Sequence, residues 1–253
     1  MRLGFSPFTA GLDYRQAFEL AGELGLFLEI AYDQHEIDPR LPSANTLAEM
    51  GRAAGVGFTL HLPFVDWNLA SLVPSVAHLS FERTQRALEF GAQIGAFCSV
   101  LHTGSVPLRH PEALERAWQF LHEALGRLEL SIPVALENLG LDPSDLLQTP
   151  AELCELLHAH PRYGFCLDVG HAQVALGPQG PRTYHALLAE RLQHWHLHDN
   201  HGHSDEHLPC GRGQVDWAWV RRALEGFQGT VALEVTGGIE GIRQSVALLR
   251  GVS

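Results

Sequence analysis

Short apolar runs alternate with longer segments of helical period along the whole chain. The runs are RLGFS (2–6), LFLEIAY (26–32), GFTLHLP (57–63) and FCSVLHTG (97–104), then IPVALENLG (132–140), YGFCLDVGH (163–171), LQHWHLHDN (192–200) and TVALEVTGG (230–238). Their Val, Ile, Leu and Phe content, with Gly or Pro close by, is that of parallel strands buried on both faces. Between the first two, DYRQAFELAGELG (13–25) carries Tyr14, Phe18, Ala21 and Leu24 on one side, with Asp13 placed to cap its start and Gly25 to stop it. Further helical patterns fall at about 43–54, 80–94, 110–129, 149–159, 183–191, 216–226 and 239–250. Eight strands alternating with eight helices predict an α/β fold, a (β/α)8 TIM barrel, with residues 1–253 as one domain. An open doubly wound sheet is the alternative, weakened by the absence of GxGxxG at the first turn.

A strand buried on both faces should be apolar almost throughout, yet most of these runs end on residues that bind metals. Strand two ends near Glu29, strand three carries His61, strand four His102 and strand five Glu137. Strand six gives Asp168 followed by His171, strand seven His196, His198 and Asp199, and strand eight Glu234. A barrel brings such strand ends together at its C-terminal rim, where barrel enzymes place their chemistry. One His or Glu at such a position is usually a packing residue or an Arg partner. A row of them side by side is costly to bury unless a cation neutralises the carboxylates. A mixed oxygen and nitrogen set without paired cysteines suits Zn²⁺, Mn²⁺, Fe²⁺ or Co²⁺.

Charge narrows the chemistry. The formal net charge is -12, and all 17 basic residues are Arg. Without Lys there is no lysine Schiff base and no Walker-type phosphate loop. The acidic balance argues against nucleic acid as a partner, because phosphate binding normally draws on excess basic charge. No run approaches the roughly 18 apolar residues of a membrane span, and the N-terminus lacks a signal-peptide pattern, so a cytoplasmic location is expected. The cysteines Cys98, Cys154, Cys166 and Cys210 form no CxxC and are expected to be reduced, with Cys210 in a loop near the site. Phe64 and Trp67 are candidates to wall a pocket, and Trp217 and Trp219 to pack. His198, His201 and His203 crowd the loop after strand seven, which makes them candidates for a second metal.

The segments HLPFVDWNLAS (61–71), LHTG (101–104), LENLG (136–140), LDVGH (167–171), HLHD (196–199), HLPCGRGQVDW (207–217) and LEVTGG (233–238) span nearly the whole chain. In that order they resemble the xylose-isomerase-like barrel superfamily, which includes sugar isomerases and epimerases, inosose dehydratase- and isomerase-like proteins, and endonuclease IV. The resemblance implies that Glu137, Asp168, His196 and Glu234 hold a divalent metal, Zn²⁺ or Mn²⁺ above all. It implies that Glu137 and Glu234 also transfer protons, and that His171 and Arg212 contact substrate. His61, His102 and His207 are read as further substrate contacts. Resemblance to endonuclease IV implies a different use of the same barrel. Its three-zinc set would add His61, His102, His171, Asp205 and His207 as ligands.

The leading expectation is a metal-dependent isomerase or epimerase of a small sugar or polyol. It would work by carboxylate-mediated proton transfer through an enediolate-like intermediate. The alternatives are a zinc phosphodiesterase of the endonuclease IV kind, a keto-polyol dehydratase, and a binding barrel without catalysis. Two opposed glutamates argue against the last, since binding alone does not need them.

Overall fold

The computed structural model describes residues 1–251. Its eight strands are β1 (Arg2–Phe5), β2 (Phe27–Ala31), β3 (Phe58–His61), β4 (Ser99–Leu101), β5 (Val134–Glu137), β6 (Gly164–Asp168), β7 (Leu192–Leu197) and β8 (Thr230–Leu233). All neighbours pair in parallel, and β8 closes onto β1, giving the expected barrel. A parallel sheet points every strand the same way, so all eight C-terminal ends meet at one mouth. Register then sets the level of each side chain, with Asp168 opposite His196 and His196 opposite Ala232.

The helices that wrap the sheet start and stop where local chemistry directs. Asp13 and Gln16 form a reciprocal capping box on Tyr14–Leu24, and Gly25 ends it at φ 65. The helix read as 80–94 begins earlier, at Pro74, because Pro at the first helical position needs no backbone donor. Strand periodicity sorts the buried residues into two layers. On β7, Trp195 and Leu197 face the helices, while His194 and His196 face the barrel axis. Glu29 sits mid-strand inside the barrel rather than at a strand end, and is fully buried.

Three short helices lie where the sequence reads as strand or loop: Pro7–Ala10, Tyr32–Ile37 and Val169–Leu176. The last one matters most. The run YGFCLDVGH reads as one strand, but Asp168 is both the last strand residue and the N-cap of the helix that follows. Val169, Gly170, His171, Ala172 and Gln173 are all buried, so that helix shows no amphipathic period. Among the described residues no helix is long and apolar enough to cross a membrane.

Candidate metal centre

His196 organises the mouth. Its Nε2 faces Glu29 Oε1 at 2.9 Å, deep in the barrel. That pairing places the ring proton on Nε2 and leaves the Nδ1 lone pair to the mouth, the usual way a carboxylate orients a metal-binding imidazole. Around Nδ1 stand Glu137 Oε1 at 3.0 Å, Glu234 Oε2 at 3.7 Å and Asp168 Oδ2 at 3.8 Å. The four residues expected as one ligand set therefore converge, drawn from the ends of β5, β6, β7 and β8. His61 closes β3, and His102 and Glu234 lie one residue past β4 and β8.

The chemistry of this group fits a divalent ion. Glu137 Oε2 and Asp168 Oδ2 are buried without a hydrogen-bond partner. Three carboxylates share one imidazole edge, and no arginine lines the cavity above them among the described residues. Leaving such oxygens unpaired costs about 1–3 kcal/mol each, and more when charged, which a bound cation removes.

A second tier of histidines surrounds the first. His102 Nε2 lies 3.0 Å and His61 Nε2 3.7 Å from Glu137 Oε2. His61 Nδ1 is 2.8 Å from the Leu62 carbonyl, which turns Nε2 into the cavity. His171 Nδ1 lies near Glu137 Oε1 and the Asn138 carbonyl, and its Nε2 is 3.4 Å from Asp205 Oδ2. His207 Nδ1 meets the Glu234 carbonyl at 2.7 Å, and its Nε2 meets Asp205 Oδ2 at 3.0 Å. His207 holds a left-handed backbone at φ 49, which a non-glycine residue keeps only where surrounding bonds fix it. Those bonds are Thr236 N and Oγ1, both donating to the His207 carbonyl.

Charge follows from this crowding. Burial pushes the Glu137 carboxyl up, but His196 and His102 outweigh it and hold it well below the usual carboxylate range. Burial likewise opposes the charge on Asp168 and Asp205, and facing histidines keep both low. Desolvation favours neutral His171 and His196, yet the carboxylates around them raise both well above the ordinary imidazole range. His207, beside Asp205 and Glu234, rises to about 9 despite its burial.

Above the ligands opens a cavity of about 380 Å³. Phe8, Phe64, Leu139 and Leu141 form apolar walls, and Glu137, Glu234, His61 and His102 face the opening from below. Trp67 takes no part in the wall; its indole donates to Thr84 and packs on the core. Arg212, expected at the substrate, is exposed outside the lining and donates through Nε to Gln244. Asp199 is buried but points away from the ligands. It accepts from Gly211 N, Val215 N and Trp217 Nε1, and so anchors the loop that carries Asp205 and His207. Cys210 is buried beside Ser245, away from the cavity lining, and its thiol is pushed up by burial.

Two groupings were not read from the sequence. Glu29 is a partner of His194 and His196 inside the barrel, and His198 joins His171, Asp205 and His207 in one cluster. The period-two spacing of His194 and His196 on β7 and His198 just past its end is the signal that could have found both.

Comparison with known proteins agrees with the barrel fold. A D-tagatose 3-epimerase-like protein superposes with a TM-score of 0.85 at 26% identity, covering 99% of this chain and 96% of that one. A protein from Thermus thermophilus, solved after soaking with zinc chloride, gives a TM-score of 0.77 at 32% identity, covering 99% and 96%. The probable endonuclease 4 of Mycobacterium marinum is 26% identical over 83% of this chain and 84% of its own. The family model described as xylose isomerase-like TIM barrel matches residues 15–252. The chain belongs to the xylose isomerase-like TIM barrel family.

Proposed function

We propose that the protein is a metal-dependent isomerase or epimerase of a small sugar or polyol. The observation that carries this reading is the placement of Glu137 and Glu234. They come from different strands, flank His196 Nδ1 at 3.0 and 3.7 Å, and both line the cavity. Likeness to the D-tagatose 3-epimerase-like protein supports the same class.

Glu137, Asp168, His196 and Glu234 would hold the ion. When bound, it polarises the carbonyl and hydroxyl oxygens of a ketose or related polyol and acidifies the C–H between them. Two carboxylates on different sides of that carbon can take its proton and return one to the other face. The Glu234 side chain is 11% exposed and Glu137 1%, so Glu234 meets the cavity more openly. His61 and His102 line the same cavity and would meet substrate hydroxyls, and Phe8, Phe64 and Leu139 would give the reacting carbon apolar walls.

The test is exchange of solvent deuterium into a panel of free and phosphorylated ketoses, on metal-loaded and chelator-stripped protein. Metal-dependent exchange into one of them is expected. No exchange and no isomerisation by fully loaded protein across the panel would sink the reading.

A second reading has its own observation. The endonuclease 4 relatives match most of the chain, and the nine residues of the three-zinc set surround one mouth. Incision of an abasic-site duplex with zinc supplied separates the two. The net charge of -12 and the lack of arginine in the lining predict weak duplex binding at physiological salt.

A further inference from the structure

We propose that Asp33 and Arg83, neither of which lines the cavity, are positioning residues for it: together they clamp the loop after β3 and so set the place of Phe64 against His61 and His102. The consequence for turnover rests on the isomerase reading, and the consequence for the loop does not.

Asp33 is the second residue of the helix Tyr32–Ile37, and only 3% of it is exposed. A carboxylate lies this deep only where hydrogen bonds offset its lost hydration. Its Oδ2 accepts from two consecutive amides of the loop, Phe64 N at 2.8 Å and Val65 N at 3.1 Å. Its Oδ1 accepts from Arg83 Nη2 at 2.7 Å. Arg83 belongs to the helix Pro74–Ile94. It donates through Nη1 to the carbonyls of Val65 at 2.8 Å and Asp66 at 3.0 Å, and through Nε to Glu36 Oε2 at 2.8 Å. Phe64, Val65 and Asp66 are thus all held through their backbone by two side chains from other elements.

The loop needs such holding. Asp66 keeps a left-handed backbone at φ 47, which a non-glycine residue retains only where its surroundings fix it. The helix that carries Arg83 also fastens the next stretch of loop. Ser80 Oγ accepts from Asn68 N and Thr84 Oγ1 from Trp67 Nε1, both at 2.9 Å. The spacing of Ser80, Arg83 and Thr84 puts all three on one face of that helix.

The residue this clamp places is Phe64. Its ring meets His61 edge-on at 4.8 Å between centroids and lies 5.9 Å from His102 and 6.2 Å from Phe8. His61 and His102 are the imidazoles whose Nε2 atoms face Glu137 Oε2. The Phe64 side chain has no polar atom to anchor it, so its position follows its backbone. A shift of about 1 Å in a group that positions substrate is enough to cost catalysis. The Arg83 guanidinium is paired with Asp33 and Glu36, so the clamp adds no cation to the cavity lining.

The experiment is a double-mutant cycle between Asp33 and Phe64 on zinc-loaded protein, with Arg83→Gln as a second way to release the same loop. Hydrogen exchange at the Phe64 and Val65 amides reads the clamp. The imidazole NMR signals of His61 and His102 read its effect at the cavity. Asp33→Ala should speed exchange of both amides by about 10–100-fold, the usual worth of a hydrogen bond to a charged group, and should move both imidazole signals. Asp33→Asn keeps one acceptor oxygen. It should fall between wild type and Asp33→Ala, and it keeps the test open if Asp33→Ala fails to fold. In deuterium exchange into a ketose that the wild type accepts, KM should rise about 10-fold in Asp33→Ala and Arg83→Gln with kcat within about 3-fold, since Glu137 and Glu234 are untouched. The double variant should match Phe64→Ala alone in KM and imidazole signals, because a residue acting through Phe64 then has nothing left to position. Additive effects in the cycle would overturn the proposal. So would freed amides with unchanged imidazole signals, which would make Asp33 a local structural bond. If the wild type exchanges no ketose, the isomerase reading fails and the imidazole signals alone decide the cycle.

Discussion

Two levels of the same barrel interior hold the same residue types to different ends. At the lower level a single carboxylate, Glu29, lies between two imidazoles. Its Oε1 faces His196 Nε2 at 2.9 Å, and its Oε2 faces His194 Nε2 at 3.1 Å and accepts from Thr59 Oγ1 at 2.8 Å. His194 Nδ1 in turn meets Thr230 Oγ1 at 2.6 Å. At the upper level three carboxylates, Glu137, Asp168 and Glu234, crowd one edge of His196. The lower group sets one carboxylate against two imidazoles and can serve as scaffold. The upper group carries surplus negative charge and calls for a cation. One ring, His196, joins the two levels, so the lower group aims the upper one.

The sharpest break in this comparison is at the upper carboxylates. Glu137→Gln and Glu234→Gln keep shape and a ligating oxygen but remove the base. Each should lose about 10²–10⁴-fold in deuterium exchange with metal content retained. Wild-type exchange in metal-loaded Glu234→Gln would end the two-glutamate mechanism.

Glu29→Gln probes the link between the levels. The amide can no longer hold both imidazoles as a carboxylate does, so His196 loses its fixed orientation. Metal affinity should fall by about 10–100-fold, the usual effect of an outer partner, read by chelator competition. An unchanged affinity would make Glu29 purely structural.

Thr230→Val isolates the lower level. It strips His194 Nδ1 of its hydroxyl partner and should cost about 1–3 kcal/mol of stability in denaturant unfolding. Metal stoichiometry should not change.

A pH-dependent effect lies outside the barrel. Burial depresses the His35 pKa to about 4 from 6.5, and its Nε2 sits 2.7 Å from the Tyr14 hydroxyl. The neutral ring therefore stabilises the fold above about pH 6.5, and that contribution is lost as pH falls through about 4. His35→Phe should flatten this part of the acid limb of a melting-temperature profile. An identical limb in the variant would show that other groups set it.

Much of the barrel was legible because strand and helix periods are local properties of the chain. Asp13 and Gly25 bound the first long helix as their chemistry suggests. The rim residues from His61 to Glu234 could be counted once parallel strands were assumed. Legibility failed where one residue serves two elements. Asp168 ends β6 and caps a helix within a single step, so LDVGH reads as continuous strand. It failed again where direction mattered. Arg212 sits in a loop beside the site, but its side chain bonds to Gln244 on the last helix.

By itself the sequence determined the alternating plan, the absence of lysine chemistry, and the supply of His, Asp and Glu at strand ends. Those follow from residue identity and spacing along one chain. Only the tertiary structure decided which ring nitrogen of His196 faces the mouth, that Glu29 lies beneath it, and that His198 joins His171, Asp205 and His207. Those depend on register between strands and on contacts between residues far apart in the chain, such as Asp168 with His198 and Glu29 with His196. The physical reason is closure: when β8 pairs with β1, side chains distant in sequence share a space a few ångströms across, and their charges must be settled together.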